Sequence, residues 1–246
     1  AFVREGSRLL QMPGGLFAFE RRALVTMLTT SLLSPAAKAR LGLEPMVPRS
    51  RLDDESVASF FERRMGPEVL RRLVAPMVRG IYGARATELG VRAVFPALAG
   101  YEDRYGSVGL ALLLATRAAA GPGLVTPRAG MHEIARRLAA ASRAPIELEC
   151  GVRQIDLSAP RPRVVLEQRG TLTPDVVVVA TDAATAARLL EGTDAELGEL
   201  LGGIRSTGVE VGSLVFPRDA VEHPLDGTGF VASGERGATL ACTFAS

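Results

Sequence analysis

The side chains that most often carry polar catalysis are few in this sequence and lie far apart. Its histidines are His132 and His223, and its cysteines are Cys150 and Cys242. Zinc sites and disulfide frameworks need such residues at short, regular spacings, which this sequence lacks. It also has no Ser/His/Asp, Cys/His or paired-carboxylate pattern. The sequence therefore predicts no metal site, and the two distant cysteines fit a reducing compartment.

One glycine motif has the form of a dinucleotide-binding sequence. The letters GTGFVA at 227–232 match it, but they lead into a strand pattern. A phosphate-binding glycine motif must instead follow a strand and open a helix. We therefore reject this motif as a cofactor site, and no other segment supplies G-x-G-x-x-G between a strand and a helix.

The composition is that of a globular protein with little net charge. Apolar residues make up 47% of the 246 residues, and the net charge is +2. This provides a core for one large or two ordinary domains and gives no reason to expect nucleic acid as a partner. The longest apolar run, Val108 to Ala115, is far shorter than the ~20 residues of a membrane-spanning helix, and no signal peptide is visible. The sequence begins without Met and ends within a strand pattern, so we expect a fragment of a longer protein.

The stretch from Asp53 to Ser107 organises the first half of the chain and predicts consecutive helices. Asp53 or Asp54 suits the N-cap of the first helix, whose apolar residues recur at helical spacing. Gly66-Pro67 ends that helix and begins the next, because glycine favours a helix C-terminus and proline a first turn. The arginines that fall mostly opposite the apolar stripes are Arg63, Arg64, Arg71 and Arg72.

The segments around this stretch predict a hairpin followed by further helices. Residues 1–12 predict the hairpin, 16–33 an irregular helix and 107–120 a helix rich in leucine and alanine. Ser34-Pro35 supplies an N-cap and a first-turn proline for a helix that ends near Leu43. The sharpest break in the pattern is GPG at 121–123, and we place a domain boundary there.

Downstream of this boundary, strand patterns replace helical ones. Residues 175–181 contain four consecutive valines and predict a strand buried on both faces. A predicted helix over 131–141 turns Ile134, Ala135 and Leu138 inward, and Asp182 suits the N-cap of a helix over 183–190. The other predicted elements are a helix at 195–201 and strands at 124–126, 145–150, 152–157, 163–168, 208–216, 229–232 and 239–245.

Two segments of the central stretch resemble the protoporphyrinogen oxidase family. They are DESVASFFERRMGPEVLRRLVAPMVRGIYG, which begins at Asp54, and FPALAGYEDRYGS, which begins at Phe95. Further matching pieces follow in the same order over most of the chain. Members of this family are FAD-dependent enzymes of the flavin amine oxidase superfamily that aromatise a porphyrinogen late in haem synthesis.

The resemblance implies that FAD-binding residues lie after residue 123. GVRQI at 151–155 matches the strand whose valine backbone lies near the adenine end of FAD, which assigns Val152 to cofactor binding. VVATDA at 178–183 matches a strand-to-helix turn beside the ribose and phosphate, which assigns Ala180 and Thr181. The family's phosphate-binding fingerprint precedes this region and another FAD segment follows it. Neither occurs in the sequence, as expected of an internal fragment.

The resemblance also implies where a porphyrinogen binds. It places Gly80 at the oxidised methylene bridge as the catalytic position, where a glycine lets the backbone approach closely, with Ile81 beside it. Val209, Val231 and Phe244 match positions that sandwich the pyrrole rings. The residues alone equally allow helix termination at Gly80 and core packing at the others. The implied reaction is dehydrogenation by hydride transfer to FAD in an apolar enclosure, with molecular oxygen as the final acceptor.

The expected fold class is α+β with an α/β part. A helical domain is inserted between parts of an FAD-binding α/β domain and an antiparallel-sheet substrate domain. The expected segments are a substrate-domain hairpin at 1–15, a helical domain that associates with a membrane or the substrate at 16–122, part of the FAD-binding domain at 123–195 and part of the substrate-binding sheet at 196–246. A cytoplasmic or peripheral-membrane location and a homodimer are further expectations.

Three alternatives stay open. Coproporphyrinogen III is an alternative substrate within the same family. Another flavin amine oxidase or a desaturase would share the FAD strands but not the two central segments. A helical module that binds a membrane or a partner, without enzymatic activity, would account for the arginine-rich face and for the apolar helix that begins at Ser107.

Overall fold

The computed structural model describes residues 1–15, 21–114, 125–234 and 239–244. The chain divides into two compact units, which we describe separately. Unit 1 comprises residues 1–118 and 208–246, and unit 2 comprises residues 119–207. The domain roles that the sequence assigns to its four segments stay predictions.

Helices and strands both contribute to the fold, which confirms the predicted mixed class. The α-helices of the described residues are α1 (Arg21–Thr29), α2 (Pro35–Gly42), α3 (Val57–Met65), α4 (Pro67–Val69), α5 (Ala75–Tyr82), α6 (Val91–Val94), α7 (Pro96–Tyr105), α8 (Val108–Leu114), α9 (His132–Ala141), α10 (Ala183–Leu190) and α11 (Ala195–Gly202). The strands are β1 (Phe2–Glu5), β2 (Arg8–Gln11), β3 (Val152–Asp156), β4 (Arg163–Leu166), β5 (Thr171–Leu172), β6 (Gly229–Ala232) and β7 (Ala241–Thr243). Short 3-10 helices cover Glu44–Met46 and Arg218–Ala220.

Serine hydroxyls begin two of the helices in unit 1. Ser34 accepts a hydrogen bond from the backbone N–H three residues on at 3.2 Å, so α2 begins as predicted. Ser56 does the same for α3 at 3.1 Å. The prediction of Asp53 or Asp54 as this cap is therefore wrong. Both lie ahead of the helix, and a serine hydroxyl fills the cap position equally well.

The helical run after Gly66 contains a π-helical turn that accommodates a proline. Gly66 has φ +93° and separates α3 from α4, as predicted. Pro76 lies inside the run and has no N–H to bond to the carbonyl four residues back. The preceding turn, Leu70–Val74, is π-helical, and the Ala75 N–H bonds to the Leu70 carbonyl five residues back. This wider turn keeps the run continuous from α4 into α5.

The core of unit 1 lies among α3, the run from α4 to α5, and helices α6 to α8. Phe61 packs edge to face with Phe60 at 5.5 Å and with Phe95 at 5.6 Å between ring centroids. The predicted apolar stripes are confirmed. Residues with almost no exposed surface include Val57, Phe60, Val69, Leu73, Val74, Met77, Leu98 and Val108.

A buried ion network crosses this core. The sequence places Arg64 opposite the apolar stripe, but the side chain is fully buried, so that prediction is wrong. Arg64 donates to Glu44 Oε1 at 2.9 Å and to Glu102 Oε1 at 3.0 Å, and these carboxylates allow its charge to be buried. Glu44 also accepts from the N–H groups of Val108 and Gly109, so it caps the N-terminus of α8.

A mixed sheet of unit 1 has the strand order β2-β1-β6-β7. The predicted hairpin and the strand at 229–232 are confirmed, and β7 is shorter than the predicted 239–245. Strands β1 and β6 are parallel, whereas β1–β2 and β6–β7 are antiparallel. The sequence predicts only antiparallel pairing here. A parallel neighbour more than 200 residues away leaves no turn signal from which pairing can be predicted.

Unit 2 has a small antiparallel sheet of order β3-β4-β5 and a pair of helices, α10 and α11. Helix α10 packs against β3, and Ile155, Leu189 and Leu190 form a small buried cluster. The predicted N-cap of α10 is confirmed, because Asp182 accepts from the Thr185 N–H at 2.9 Å.

Several predicted strands are absent from the described residues. The valine run at 175–181 adopts no regular structure, and Val176 and Val178 are 76% and 84% exposed. A strand forms only beside a hydrogen-bonding neighbour, and no described segment pairs with this run. Residues 125–126, 145–150 and 208–216 likewise form no strand. The parts of predicted elements that fall at 16–20, 115–120, 124 and 245 lie outside the described residues, as does the predicted domain boundary at 121–123.

Helix α9 forms as predicted, but the face predicted to point inward is exposed. Ile134 and Leu138 are 46% and 68% exposed, and Ala135 is exposed too. The buried residue of α9 is instead Glu133, which accepts hydrogen bonds from Arg136 and Arg137 at 2.8 and 2.6 Å. Within the described part of unit 2, no apolar layer covers the predicted inner face.

Candidate functional site

Gly80 lies where helix α5 comes closest to the sheet of unit 1. A Cβ atom on Gly80 would lie 2.9 Å from Val231 Cγ1 on β6 and 3.4 Å from Ala241 Cβ on β7. The helix ends at Gly83, whose φ is +64°, rather than at Gly80. Gly80 therefore allows close packing of the helix on the strands, and it brings together two of the predicted site residues.

The last turn of α5 presents apolar side chains at the surface. Ile81 and Tyr82 are 57% and 43% exposed, immediately after Gly80. The position of this turn is fixed because the Arg79 guanidinium donates to the Gly234 carbonyl at 2.6 Å, just past the end of β6. Ile81 is thus an exposed apolar group on a well-anchored helix end.

The two faces of the sheet separate Val231 from Phe244. Val231 pairs with Val3 and Ala241, and paired residues share a face. Val3 is fully buried, and Val231 packs against the core beside Gly80. Phe244 instead lies near Phe230, with ring centroids 6.3 Å apart, on the opposite face. The structure thus groups Val231 with Gly80 and places Phe244 elsewhere.

Phe244 belongs to an aromatic group on the face turned away from α5. Its ring lies 5.4 Å from that of His223, which makes an edge contact of 5.4 Å with Phe2. His223 is fixed because its Nδ1 accepts from the Leu225 N–H at 2.9 Å. All four rings, those of Phe2, His223, Phe230 and Phe244, are half-buried. We call this set the aromatic face.

The residues that surround Phe244, which are Phe2, His223 and Phe230, were not predicted from the sequence. A signal existed in the alternation of β1 and β6, since Phe2 and Phe230 occupy alternate positions to the buried Val3 and the partly buried Val231. His223 had no such signal, because it lies in a loop that only the tertiary fold brings to the sheet.

Val209 is the predicted substrate residue that the structure does not bring near the others. It is 60% exposed and lies in a segment without regular structure. None of the described strands pairs with residues 208–216. The position of the Val209 side chain relative to the sheet is therefore not fixed by backbone hydrogen bonds to a neighbouring strand.

Two of the predicted cofactor residues lie at one exposed turn of unit 2. Ala180 and Thr181 immediately precede the N-cap Asp182 and are exposed. Val152 begins β3, an edge strand, and packs partly against the cluster of Ile155. Small exposed residues and an edge strand suit contact with a flat ring or a ribose.

The same unit does not suit the pyrophosphate of FAD. A pyrophosphate needs the free N–H groups of a helix N-terminus. Carboxylates lie instead at the N-termini of the helices described in unit 2, as Asp182 on α10, Asp194 on α11 and Glu133 in the first turn of α9. The N–H of Thr185 lowers the pKa of Asp182, so this group carries a negative charge that repels phosphate. The described residues therefore fit the non-phosphate part of FAD only.

Two further features bear on the type of site. In the described residues, no three or more His, Cys, Asp or Glu side chains are grouped so that they could hold a metal ion. None of the helices in the described part of the chain combines the length and hydropathy that crossing a bilayer requires.

Comparison with protein families gives a match over nearly the whole chain. The family described as flavin containing amine oxidoreductase matches residues 2–244. The coproporphyrinogen III oxidase of Bacillus subtilis is 27% identical over 99% of this chain and 54% of its own length. That of Propionibacterium freudenreichii is 30% identical over 91% and 49%, and human protoporphyrinogen oxidase is 28% identical over 81% and 45%.

A solved structure shows the same fold. A protein from Exiguobacterium sp. 255-15, provisionally named protoporphyrinogen oxidase, superposes with a TM-score of 0.70 at 19% identity, over 98% of this chain and 53% of that one. The chain therefore spans about half the length of the relatives it matches. These findings confirm the resemblance read from the two central segments. The chain belongs to the flavin-containing amine oxidoreductase family, whose cofactor is FAD.

Proposed function

We propose that this chain is part of an oxygen-dependent porphyrinogen oxidase that converts protoporphyrinogen IX to protoporphyrin IX. The observation that carries the proposal is that relatives from three organisms, which match 81–99% of this chain, are named coproporphyrinogen III oxidase or protoporphyrinogen oxidase. An amine oxidase or a desaturase of the same family would match the family model equally well. The relatives named here, however, are all porphyrinogen oxidases.

The geometry of unit 1 supports an apolar substrate. Gly80 has only a hydrogen atom where α5 meets β6, and Ile81 and Tyr82 extend the apolar surface beyond it. Oxidation of a reduced macrocycle needs a hydride acceptor and an apolar enclosure rather than an acid–base pair. No paired carboxylates or Ser/His/Asp arrangement occurs among the residues proposed for the site.

The proposed residues of each unit have distinct tasks. FAD, when bound, supplies the hydride acceptor. Gly80 keeps the α5 backbone accessible, and Ile81 and Val231 provide aliphatic contact. Phe244 lies on the opposite face of the sheet from Val231, so it offers ring surface for a pyrrole only if the macrocycle extends past the edge strand β7. Val209 contacts the macrocycle only if residues 208–216 pair as a strand in the complete enzyme. Val152, Ala180 and Thr181 would hold the adenine and ribose of FAD.

Coproporphyrinogen III is the second candidate substrate. The relatives that cover 99% and 91% of this chain are named coproporphyrinogen III oxidases, whereas the human protoporphyrinogen oxidase covers 81%. The two substrates share the macrocycle and differ in how many side arms carry carboxylates. The residues named above contact the macrocycle and so do not discriminate between them.

The experiment is a direct comparison of substrates with the purified full-length enzyme and its FAD. Protoporphyrinogen IX and coproporphyrinogen III are supplied separately in air, and porphyrin fluorescence reports the product. We expect turnover of a porphyrinogen with consumption of oxygen, and a higher kcat/KM for protoporphyrinogen IX.

A simple amine serves as the competing substrate, and enzyme stripped of FAD is the control for spontaneous oxidation. Turnover of the amine without turnover of either porphyrinogen would refute the proposal. Turnover of coproporphyrinogen III alone would replace the substrate and keep the reaction class.

A further inference from the structure

The last turn of α5 carries the proposed catalytic position but no buried side chain. The buried residues of α5 lie at 76–78, in its first half. Ile81 and Tyr82, which follow Gly80, are exposed, and Gly80 has no side chain with which to hold the turn in place. A helix end without buried contacts opens locally at little cost in free energy. The position of Gly80 therefore depends on another contact.

The side chain of Arg79 connects this turn to the end of β6. Its Nη1 donates a hydrogen bond to the Gly234 carbonyl at 2.6 Å, between residues 155 positions apart in the sequence. Arg79 also lies in the last turn of α5, where the negative end of the helix dipole favours a positive charge. The hydrogen bond thus crosses from the helix to the sheet directly beside Gly80.

The carbonyl that accepts from Arg79 belongs to a rigid part of the sheet. Ser233, one residue before Gly234, donates to the Arg4 carbonyl through its N–H at 3.0 Å and through its hydroxyl at 2.7 Å. Strand β1, which carries Arg4, lies between β2 and β6. Because its acceptor is held in this way, the hydrogen bond of Arg79 fixes the helix end relative to the sheet.

A packing contact and a hydrogen bond join α5 to β6, and they act in opposite senses. A Cβ on Gly80 would lie 2.9 Å from Val231 Cγ1, so this packing contact limits how near the helix can come to the strand. The hydrogen bond of Arg79 instead keeps the turn from moving away, and its charged donor makes it stronger than a bond between neutral groups. Together they set the distance between the Gly80 backbone and β6.

We propose that Arg79 is a positioning residue, which holds the Gly80 backbone against β6, where the methylene bridge of the porphyrinogen is oxidised. This inference rests on the proposed function and adds to it the residue that keeps the catalytic position in place. Arg79 acts through the last turn of α5 rather than by touching the substrate. Loss of its hydrogen bond should loosen residues 80–83 and leave the buried first half of α5 unchanged. Turnover should therefore fall more than global stability.

Hydrogen exchange and steady-state kinetics of the full-length enzyme with FAD bound test the two parts of this proposal. Arg79→Met keeps the apolar stem of the side chain and removes its donors. We expect the backbone amides of residues 81–83 to exchange about tenfold faster or more, the loss typical of a hydrogen bond from a charged group. We also expect kcat for protoporphyrinogen IX to fall about tenfold, because misplaced reacting groups slow the chemical step. FAD content and melting temperature should stay near those of the wild type.

Chemical rescue separates positioning from a purely structural role. Arg79→Ala leaves room for a free guanidinium ion, and millimolar guanidinium should restore part of its kcat. Arg85→Met is the matched control, because Arg85 is an exposed arginine just beyond the end of α5. It should change neither the exchange rates nor kcat.

The possible results separate this inference from the proposed function. Unchanged exchange at residues 81–83 in Arg79→Met would overturn the anchoring role of the hydrogen bond. Faster exchange with an unchanged kcat, or a loss of kcat that follows loss of FAD and is not rescued, would overturn the positioning role alone. A wild-type enzyme that oxidises no porphyrinogen would overturn the proposed function and the positioning role together, and the exchange rates would then decide the anchoring role by themselves.

Discussion

At the scale of single residues, the contact between Gly80 and Val231 links packing to the proposed chemistry. The sequence suggested two roles for Gly80, close approach of the backbone to a substrate or termination of a helix. The structure adds a third, since a Cβ at this position would lie 2.9 Å from Val231 Cγ1. Such a distance requires one of the two groups to move. A larger side chain would thus change both the helix–sheet packing and the surface beside it.

Gly80→Val should therefore lower stability as well as turnover. The Cβ atom of the new side chain meets Val231 and Ala241, and overpacking of this kind costs about 1–3 kcal/mol. Catalytic close approach predicts a further loss of turnover in the enzyme that remains folded. Urea unfolding and kcat per bound FAD measure the two effects separately.

The companion variant is the double change Gly80→Ala with Val231→Ala, which removes the close contact. It should recover the stability that Gly80→Ala loses. If it recovers stability and turnover together, Gly80 serves packing alone, and the catalytic role assigned to it is wrong.

The candidate site could be predicted from the sequence only where the residues lie on elements with local signals. The strand pattern at 229–232 placed Val231 on a strand, and the helical spacing placed Gly80 in the central run. The separation of Val231 from Phe244 onto two faces could not be predicted, because it depends on the register between β6 and β7, and the strand pattern alone does not set a register. His223 reaches Phe244 through a loop, and loops carry no periodicity from which a contact could be deduced.

At the scale of helices, the buried network around Arg64 determines how α3, α7 and α8 meet. Glu102 on α7 accepts from Arg63 and Arg64 on α3, and Glu44 joins Arg64 to the N-terminus of α8. Caps and apolar stripes predicted most helix positions correctly because they are local. The burial of Arg64 could not be predicted, because its partners are 20 and 38 residues away and an arginine is ordinarily exposed.

Arg64→Met should destabilise the enzyme much more than the same change at an exposed arginine. It leaves Glu44 and Glu102 with a buried charge that has lost a partner, which costs about 3–5 kcal/mol. Arg92 pairs with Asp103 at 2.8 Å with both side chains exposed, so Arg92→Met should have little effect. Urea unfolding at neutral pH measures both.

The difference between wild type and Arg64→Met should shrink in acid. Burial raises the pKa of Glu102, but hydrogen bonds from Arg63 and Arg64 outweigh burial, so its pKa lies below the ordinary 4.5. A lowered pKa contributes stability above the unfolded value and loses it as the pH falls through the folded value. The unfolding free energies of the two proteins should thus converge below pH 4.5. A difference that stays constant as the pH falls well below 4.5 would contradict the role given to Glu102.

At the scale of the whole molecule, the two units differ in how well the described residues cover their apolar surface. Unit 1 buries a large core, and the central segments that carried the resemblance lie within it. Unit 2 buries only the small cluster around Ile155, and it leaves Val176, Val178 and Leu138 exposed. The chain spans about half the length of the relatives it matches. The run at 175–181, predicted to be a strand buried on both faces, has no described neighbour to pair with.

The chain of 246 residues alone should bind no FAD, should show no oxidase activity and should self-associate while keeping substantial helix content. Binding of FAD needs a helix N-terminus that is free to hold the pyrophosphate. In unit 2, each described helix has a carboxylate at its N-terminus instead. Self-association follows from the exposed valine run and the uncovered face of α9, because both leave large apolar side chains in water. Size-exclusion chromatography and circular dichroism report association and helix content, and the visible absorbance of the purified chain reports flavin. The full-length enzyme, purified in parallel, is the positive control and should be yellow. A stoichiometric flavin band in the 246-residue chain would show that its own residues hold the pyrophosphate, and the assignment of Val152, Ala180 and Thr181 to the non-phosphate part of FAD would then need to be abandoned.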